Sequence, residues 1–294
     1  MTQAPAAEAP LSERARAMRR FVRNRGALVG TFIVLMVAAL SVFAPVLAPH
    51  DPNTPFKSRT LTSRGVPIGP EREFPFGADS LGRCQLSRLL FGGRVSLAVA
   101  LAATALLAIV GTSVGVLSGY FGGWTDTIFM RVVDVLLSFP FLLVCMAINK
   151  TVARPGIWVL FLVLGFLSWT GLARQVRART LQIRSLEFVV AARALGASHA
   201  RVIVRHVLPN VLSLVIVLCT TLVAEMIIVE SVLSFLGVGV VPPTSSWGSM
   251  LQEGDPYMRS VPRLLLIPAA AITVTVVGFN LLGEGLRDAL DPKS

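Results

Sequence analysis

Few residues in this 294-residue chain could do chemistry, and their spacing narrows the options. Its three histidines, His50, His199 and His206, and three cysteines, Cys84, Cys145 and Cys219, show no close pair and no metal-ligand spacing. No disulfide framework, zinc cluster or catalytic triad is therefore expected. Cys145 and Cys219 lie inside apolar runs and read as small hydrophobes. Two carboxylates stand out instead. Glu225 and Glu230 sit within a long apolar run, where lipid penalises a charge and an acidic side chain is a functional hypothesis by default. Two readings of Glu225 stay open: it faces an aqueous cavity and receives a cationic group, or it hydrogen-bonds a neighbouring helix. Five residues apart, the two glutamates do not share a helix face. Arg131 and Asp134, at i and i+3 in another apolar run, read as a pair whose members neutralise each other.

The other chemically distinctive stretch is basic: residues 186–209, LEFVVAARALGASHARVIVRHVLP, between two apolar runs. Phe188, Ala191, Ala192 and Leu195 fall at i, i+3, i+4 and i+7 and form the apolar stripe of a first short helix. Gly196 stops that helix by taking the left-handed conformation. Ser198 caps a second helix reaching about His206, and Pro209 suits the start of the next, where its missing N–H costs nothing. The product is a helix-turn-helix elbow whose Arg193, Arg201 and Arg205 can pair with acidic groups on a partner. A plainer alternative is a positive loop that merely obeys membrane topology.

Apolar helices must position both features. The chain is 54% hydrophobic and 15% charged, with a mean hydropathy of +0.71, which is too apolar for an ordinary soluble domain. A net charge of +11 invites a nucleic-acid reading, but the arginines cluster beside apolar runs and topology explains them better. No nucleic-acid partner is expected. The fold class read here is all-α: a polytopic membrane protein of six transmembrane helices, at 27–48, 94–120, 124–149, 157–178, 211–236 and 264–282, with a cytoplasmic two-helix coupling elbow. Each run approaches the ~20 apolar residues a bilayer requires. In domain terms, 1–26 is a basic cytoplasmic tail, 27–48 the first span, and 49–93 an extracytoplasmic loop. Residues 94–283 form a five-helix core containing the coupling loop 184–209, and 284–294 is a cytoplasmic tail.

The first ten residues read as disordered. Arg14, Arg16, Arg19, Arg20, Arg23 and Arg25 follow as anchors beside anionic lipid. With both termini inside, sixteen of the 27 Lys and Arg residues fall on the cytoplasmic side, the sign the positive-inside rule requires. Small residues in the second run suit close helix packing in lipid. No inverted repeat of a secondary carrier is found, and no GxxxxGK[ST] phosphate loop is present.

Several motifs together carry a family resemblance. Ala191-Ala192, Gly196 and Leu208-Pro209 stand at the spacing of the cytoplasmic loop of bacterial ABC importer permeases, with Val190 at the usual glutamate position and His206 at an apolar one. The runs 74–83 (FPFGADSLGR), 119–123 (GYFGG), 230–237 (ESVLSFLG), 242–248 (PPTSSWG) and 279–292 (FNLLGEGLRDALDP) are similar to the dipeptide, oligopeptide and nickel branch. Cys84 stands where that branch is usually acidic, and Glu225 where a small residue is usual. The chain thus resembles the second permease of such a heterodimer in the bacterial inner membrane.

The resemblance implies a sister permease, two ATP-hydrolysing subunits and an extracytoplasmic substrate-binding protein. It places ATP and Mg in the partner subunits and no cofactor in this chain, which would be non-catalytic. Ala191, Ala192, Arg193, Gly196, Arg201, Arg205, Leu208 and Pro209 would seat on an ATPase subunit, and Glu225 and Glu230 are pathway candidates. The implied cargo is di- or oligopeptide, with nickel or a metal chelate as the alternative. An ATP-independent channel or carrier is a weaker reading. An intramembrane enzyme lacks the clustered nucleophile, base or metal residues it would need.

Overall fold

The protein is described here from a computed structural model covering residues 13–63, 65–152 and 156–290. The expectations for residues 1–10 and for the last four positions lie outside the described residues. So do those for the side chains of Arg14 and Arg16.

In chain order the helices are α1 (Glu13–Arg23), α2 (Arg25–Val42), α3 (Ala44–Leu47), α4 (Lys57–Thr60), α5 (Gln85–Phe121), α6 (Gly123–Leu137) and α7 (Phe141–Thr151). There follow α8 (Ile157–Arg184), α9 (Glu187–Ala194), α10 (His199–Val202), α11 (Leu208–Phe235), α12 (Trp247–Gly254) and α13 (Arg263–Leu290). β-type pairing among the described residues is limited to two isolated antiparallel bridges, Leu61–Pro67 and Ala78–Cys84, in agreement with the all-α reading.

Among the described residues five helical stretches are long and apolar enough to cross a bilayer, and α6 with α7, bent by 82° at their break, passes the same test when the two are taken as one span. The expected straight third span is therefore broken at Ser138–Pro140. Pro140 caps α7 from an extended conformation, because proline disfavours helix at the residue before it and cannot donate into a continuing ladder. The helix that carries the second span begins at Gln85, earlier than the expected 94. The fourth and sixth spans likewise extend past the apolar runs, to Arg184 and Leu290.

The closest packing is between α5 and α8, which run parallel. Gly111, Gly115 and Gly119 lie one turn apart along α5 and meet Trp169, Ala173 and Thr180 of α8. A Cβ on Gly115 would stand 2.6 Å from the Ala173 carbonyl oxygen, so the seam requires glycine. This is the small-residue approach that stabilises helices in lipid, where apolar burial gives no driving force. A second seam joins α2 to α13 in antiparallel fashion: Gly285 lies against Ala27, and Gly30 against the backbone of Gly278 and Leu282. Pro268 inside α13 leaves the Leu264 carbonyl without its helical donor, and Gln85 Nε2 lies 3.5 Å from that oxygen.

The self-neutralising pair expected at Arg131 and Asp134 is not formed. Asp134 pairs instead with Arg174 of α8 at 2.6 Å, since the α6–α8 packing brings that guanidinium closer than the side chain three residues away.

Replacing Gly115 by Val drives a branched side chain into the α8 backbone, and overpacking of this kind costs roughly 1–3 kcal/mol. The melting temperature of the Gly115→Val protein in detergent should fall accordingly. Gly171→Ala, whose added methyl meets nothing within 4 Å, should leave it unchanged or raise it. Equal shifts for the two variants would contradict the seam.

Candidate functional site

The elbow is built as its residue types dictate. α9 is closed off by Gly196, two residues past its end, where φ is +83°. The Ala197 N–H donates to Ala192 O and the Gly196 N–H to Arg193 O, the paired bonds by which a left-handed residue satisfies the last carbonyls of a helix. Ser198 then caps α10, its hydroxyl accepting from the Arg201 N–H.

The second arm departs from expectation. It does not stop near His206 and restart at Pro209. A π-helical turn over Ile203–Val207 follows α10 directly, and residues His199–Phe235 form one helical stretch. In the π turn Leu208 N–H donates to Ile203 O. This wider winding leaves room for the Pro209 ring, which in a regular helix would clash with the carbonyl four residues back. The elbow's second arm is thus helically continuous with the fifth span.

The expected apolar stripe of α9 is not buried within the chain. Val189 alone in that helix is buried; Phe188 is exposed, Leu195 is 88% exposed, and Val190 and Val204 are exposed as well. Ala191, Arg193, Arg201, Arg205 and Pro209 are exposed, while Ala192 and Leu208 are half-buried. Val190, Arg193, Ala194, Gly196, Ala197 and His199 line an open hollow on this surface. Inside the elbow Phe188 meets the ring of His206 at 6.0 Å between centroids. The structure therefore brings the predicted coupling residues onto one small unit and leaves its apolar and basic groups bare.

The two glutamates part company. Glu225 is exposed on α11. Glu230 is fully enclosed. Its carboxylate accepts hydrogen bonds from Ser96 of α5 at 2.9 Å and from Ser234 at 2.8 Å. Those hydroxyls in turn accept from the backbone N–H groups of Trp247 and Val240. Glu230 is thus a clamp joining α5, α11 and the start of α12, and in this chain it presents no surface to a passing substrate.

Two polar clusters escaped sequence reasoning. At the end opposite the elbow, Arg83 bridges Asp79 (2.7 Å) and Glu253 (2.6 Å), and Arg88, 1% exposed, pairs with the same two carboxylates. This network fastens the loop before α5 to α12. At the elbow end, Asp126 takes both nitrogens of one edge of the Arg177 guanidinium and a hydrogen bond from Ser118, tying α6 to α8 and α5. Charges at i and i+4 such as Asp79 and Arg83 were visible in the sequence, but their meeting with Glu253 was not.

Glu230→Ala strands the hydroxyls of Ser96 and Ser234 and should cost about 2–4 kcal/mol, in the range for breaking a buried hydrogen-bond network. Glu230→Gln keeps the shape and an acceptor, so it should melt closer to the unsubstituted protein. Equal melting temperatures for the two variants in detergent would show that Glu230 is no clamp.

Comparison with known proteins agrees with this architecture. Residues 12–62 match the model of the N-terminal TM domain of oligopeptide transport permease C, and residues 111–294 match that of the binding-protein-dependent transport system inner membrane component. The oligopeptide transport system permease protein OppC of Haemophilus influenzae is 39% identical over 280 residues, covering 94% of this chain and 88% of that protein. The OppC protein of Bacillus subtilis is 37% identical, with 94% and 88% covered. The glutathione transport system permease protein GsiD of Escherichia coli O6:K15:H31 is 40% identical, with 94% and 89% covered. With a bent third span, a bare elbow and similarity running almost end to end, this chain belongs to the family of binding-protein-dependent transport system inner membrane components.

Proposed function

We propose that this chain is one half of the membrane pathway of an ATP-driven importer of short peptides. The observation that carries the reading is the elbow. Its stop, cap and continuation into α11 are all built, yet its apolar and basic face is bare at one end of a membrane bundle. Exposed apolar surface rimmed by polar groups marks an interaction site, and guanidinium groups suit carboxylates on a partner. The relatives support the cargo class, since they are permease proteins of oligopeptide and glutathione transport systems and glutathione is itself a short peptide.

In this reading both termini lie in the cytoplasm. Two ATP-hydrolysing subunits, holding ATP and Mg, seat on the elbows of this chain and of a sister permease. A binding protein delivers cargo at the opposite end. ATP binding draws the ATPase subunits together and displaces the elbows. Because α10, the π turn and α11 are continuous, the displacement is carried into the fifth span, and the pathway changes the side to which it opens. Glu225, exposed on that moving helix, receives the cationic amino terminus of the peptide. Glu230, enclosed, holds α5 and α12 to it.

The test is ATP hydrolysis and peptide uptake in vesicles containing both permeases, the ATPase subunits and the binding protein. Peptide-loaded binding protein should raise hydrolysis several-fold over the empty form. Gly196→Pro should abolish that response while the chain still inserts, because proline cannot adopt a φ of +83° and lacks the N–H given to Arg193. A full response from Gly196→Pro would contradict the elbow's role. A response only to metal-chelate-loaded binding protein would keep the machinery and change the cargo. In the same vesicles Glu225→Gln should lower uptake of peptides with a free amino terminus more than of acetylated ones; equal effects would remove Glu225 from the pathway.

A further inference from the structure

The elbow's apolar attachment to the rest of the chain runs through Val189, Val202 and Val207, which are buried in the core; its polar side-chain attachment is narrow. Among the described residues, one hydrogen bond between side chains joins the elbow, 186–207, to another part of the protein: Tyr120 Oη to His199 Nδ1, at 3.0 Å; the Asn210 side chain also donates to His206 O at the start of α11. Their rings also meet edge to face, with centroids 5.7 Å apart, and Phe121 packs against both. Tyr120 is 7% exposed at the end of α5. His199 opens α10, just past the Gly196 turn.

The turn bearing Tyr120 is itself immobilised by α8. Arg184 donates to the carbonyls of Gly119 (2.9 Å) and Tyr120 (3.3 Å). Gly119 closes the glycine seam against Thr180, and Asp126, just beyond the turn, grips Arg177. Beside the apolar packing of Val189, Val202 and Val207 on the core, a push received on α9 therefore has two further routes inward. One runs along the continuous second arm into α11. The other runs sideways from His199 to Tyr120, into the joined α5–α8 pair.

Resting on the coupling reading above, we propose that Tyr120 and His199 form a lateral strut that makes the α5–α8 pair move with the elbow, so that its displacement is not absorbed at the Gly196 turn. Both are positioning residues and touch no substrate. Either protonation state of His199 serves, since the phenol can donate to Nδ1 or accept from it.

The experiment measures peptide taken up per ATP hydrolysed in vesicles holding the complete complex, together with ATPase-subunit association and melting temperature. Tyr120→Phe, which deletes one oxygen, should lower uptake per ATP by about 3- to 10-fold, the value of one net hydrogen bond, with association and melting temperature unchanged. His199→Ala should do the same, and combining the two should add no further loss. His199→Gln, which can still bond the phenol, should restore coupling with Tyr120 present but not in the Tyr120→Phe background. Unchanged uptake per ATP in Tyr120→Phe, losses that multiply in the double variant, or a lowered melting temperature without altered coupling would each overturn the strut. An unsubstituted complex without peptide-stimulated hydrolysis would overturn the coupling reading beneath it, a failure distinct from the strut's own.

Discussion

The approach of α5 to α8 at Gly111, Gly115 and Gly119 is the constraint on which the rest of the structure depends. In lipid, apolar surface gains nothing by leaving its surroundings, so helix contact must come from backbone proximity and from polar groups that meet. The three glycines supply the proximity. Where the seam ends, Arg184 reaches the carbonyls of Gly119 and Tyr120, and Arg177 reaches Asp126. Where α5 begins, Gly92 and Gly93 make room for Trp247, whose indole N–H donates to Leu89 O. One helix thus carries the registration of both ends of the molecule.

The two ends are finished differently. Away from the elbow, one charge network is largely enclosed: Asp79, Arg83, Arg88 and Glu253 close on one another, and Ser246 and Ser249 cap α12 reciprocally. At the elbow, charges and apolar groups are left exposed. A buried, paired network resists movement, because separating its members exposes each to an uncompensated environment. A bare amphipathic surface on a small two-helix unit is what the proposed coupling role requires. This contrast fits a body that holds its shape at one end while it is driven from the other.

Much of this was legible in the sequence. The helix stop at Gly196, the cap at Ser198, the small-residue seam and five of the six spans follow from local rules that depend only on near neighbours. Three features did not. The break at Pro140 lay inside a run whose composition alone reads as one span. The π turn before Pro209 depends on how a helix relieves a clash, and the same residues could equally have begun a new helix. Glu230 and Glu225 look alike in sequence, an acidic residue in an apolar run, and only the position of Ser96, 134 residues away, makes one a clamp and leaves the other exposed. Pairings across such separations, like Tyr120 with His199, have no signature in spacing.

The central claim is that the bare face of the elbow is the seat of an ATPase subunit. Its most direct test is the accessibility of a cysteine placed at Leu195, the most exposed apolar side chain of the elbow. Native Cys84 and Cys145 are buried and Cys219 is half-buried in α11, so each can be replaced or used as an internal control. With a membrane-impermeant thiol reagent applied from the cytoplasmic side, Leu195→Cys should label rapidly in the permease alone and become protected when the ATPase subunits are bound. Labelling at the same rate with and without those subunits would contradict the account.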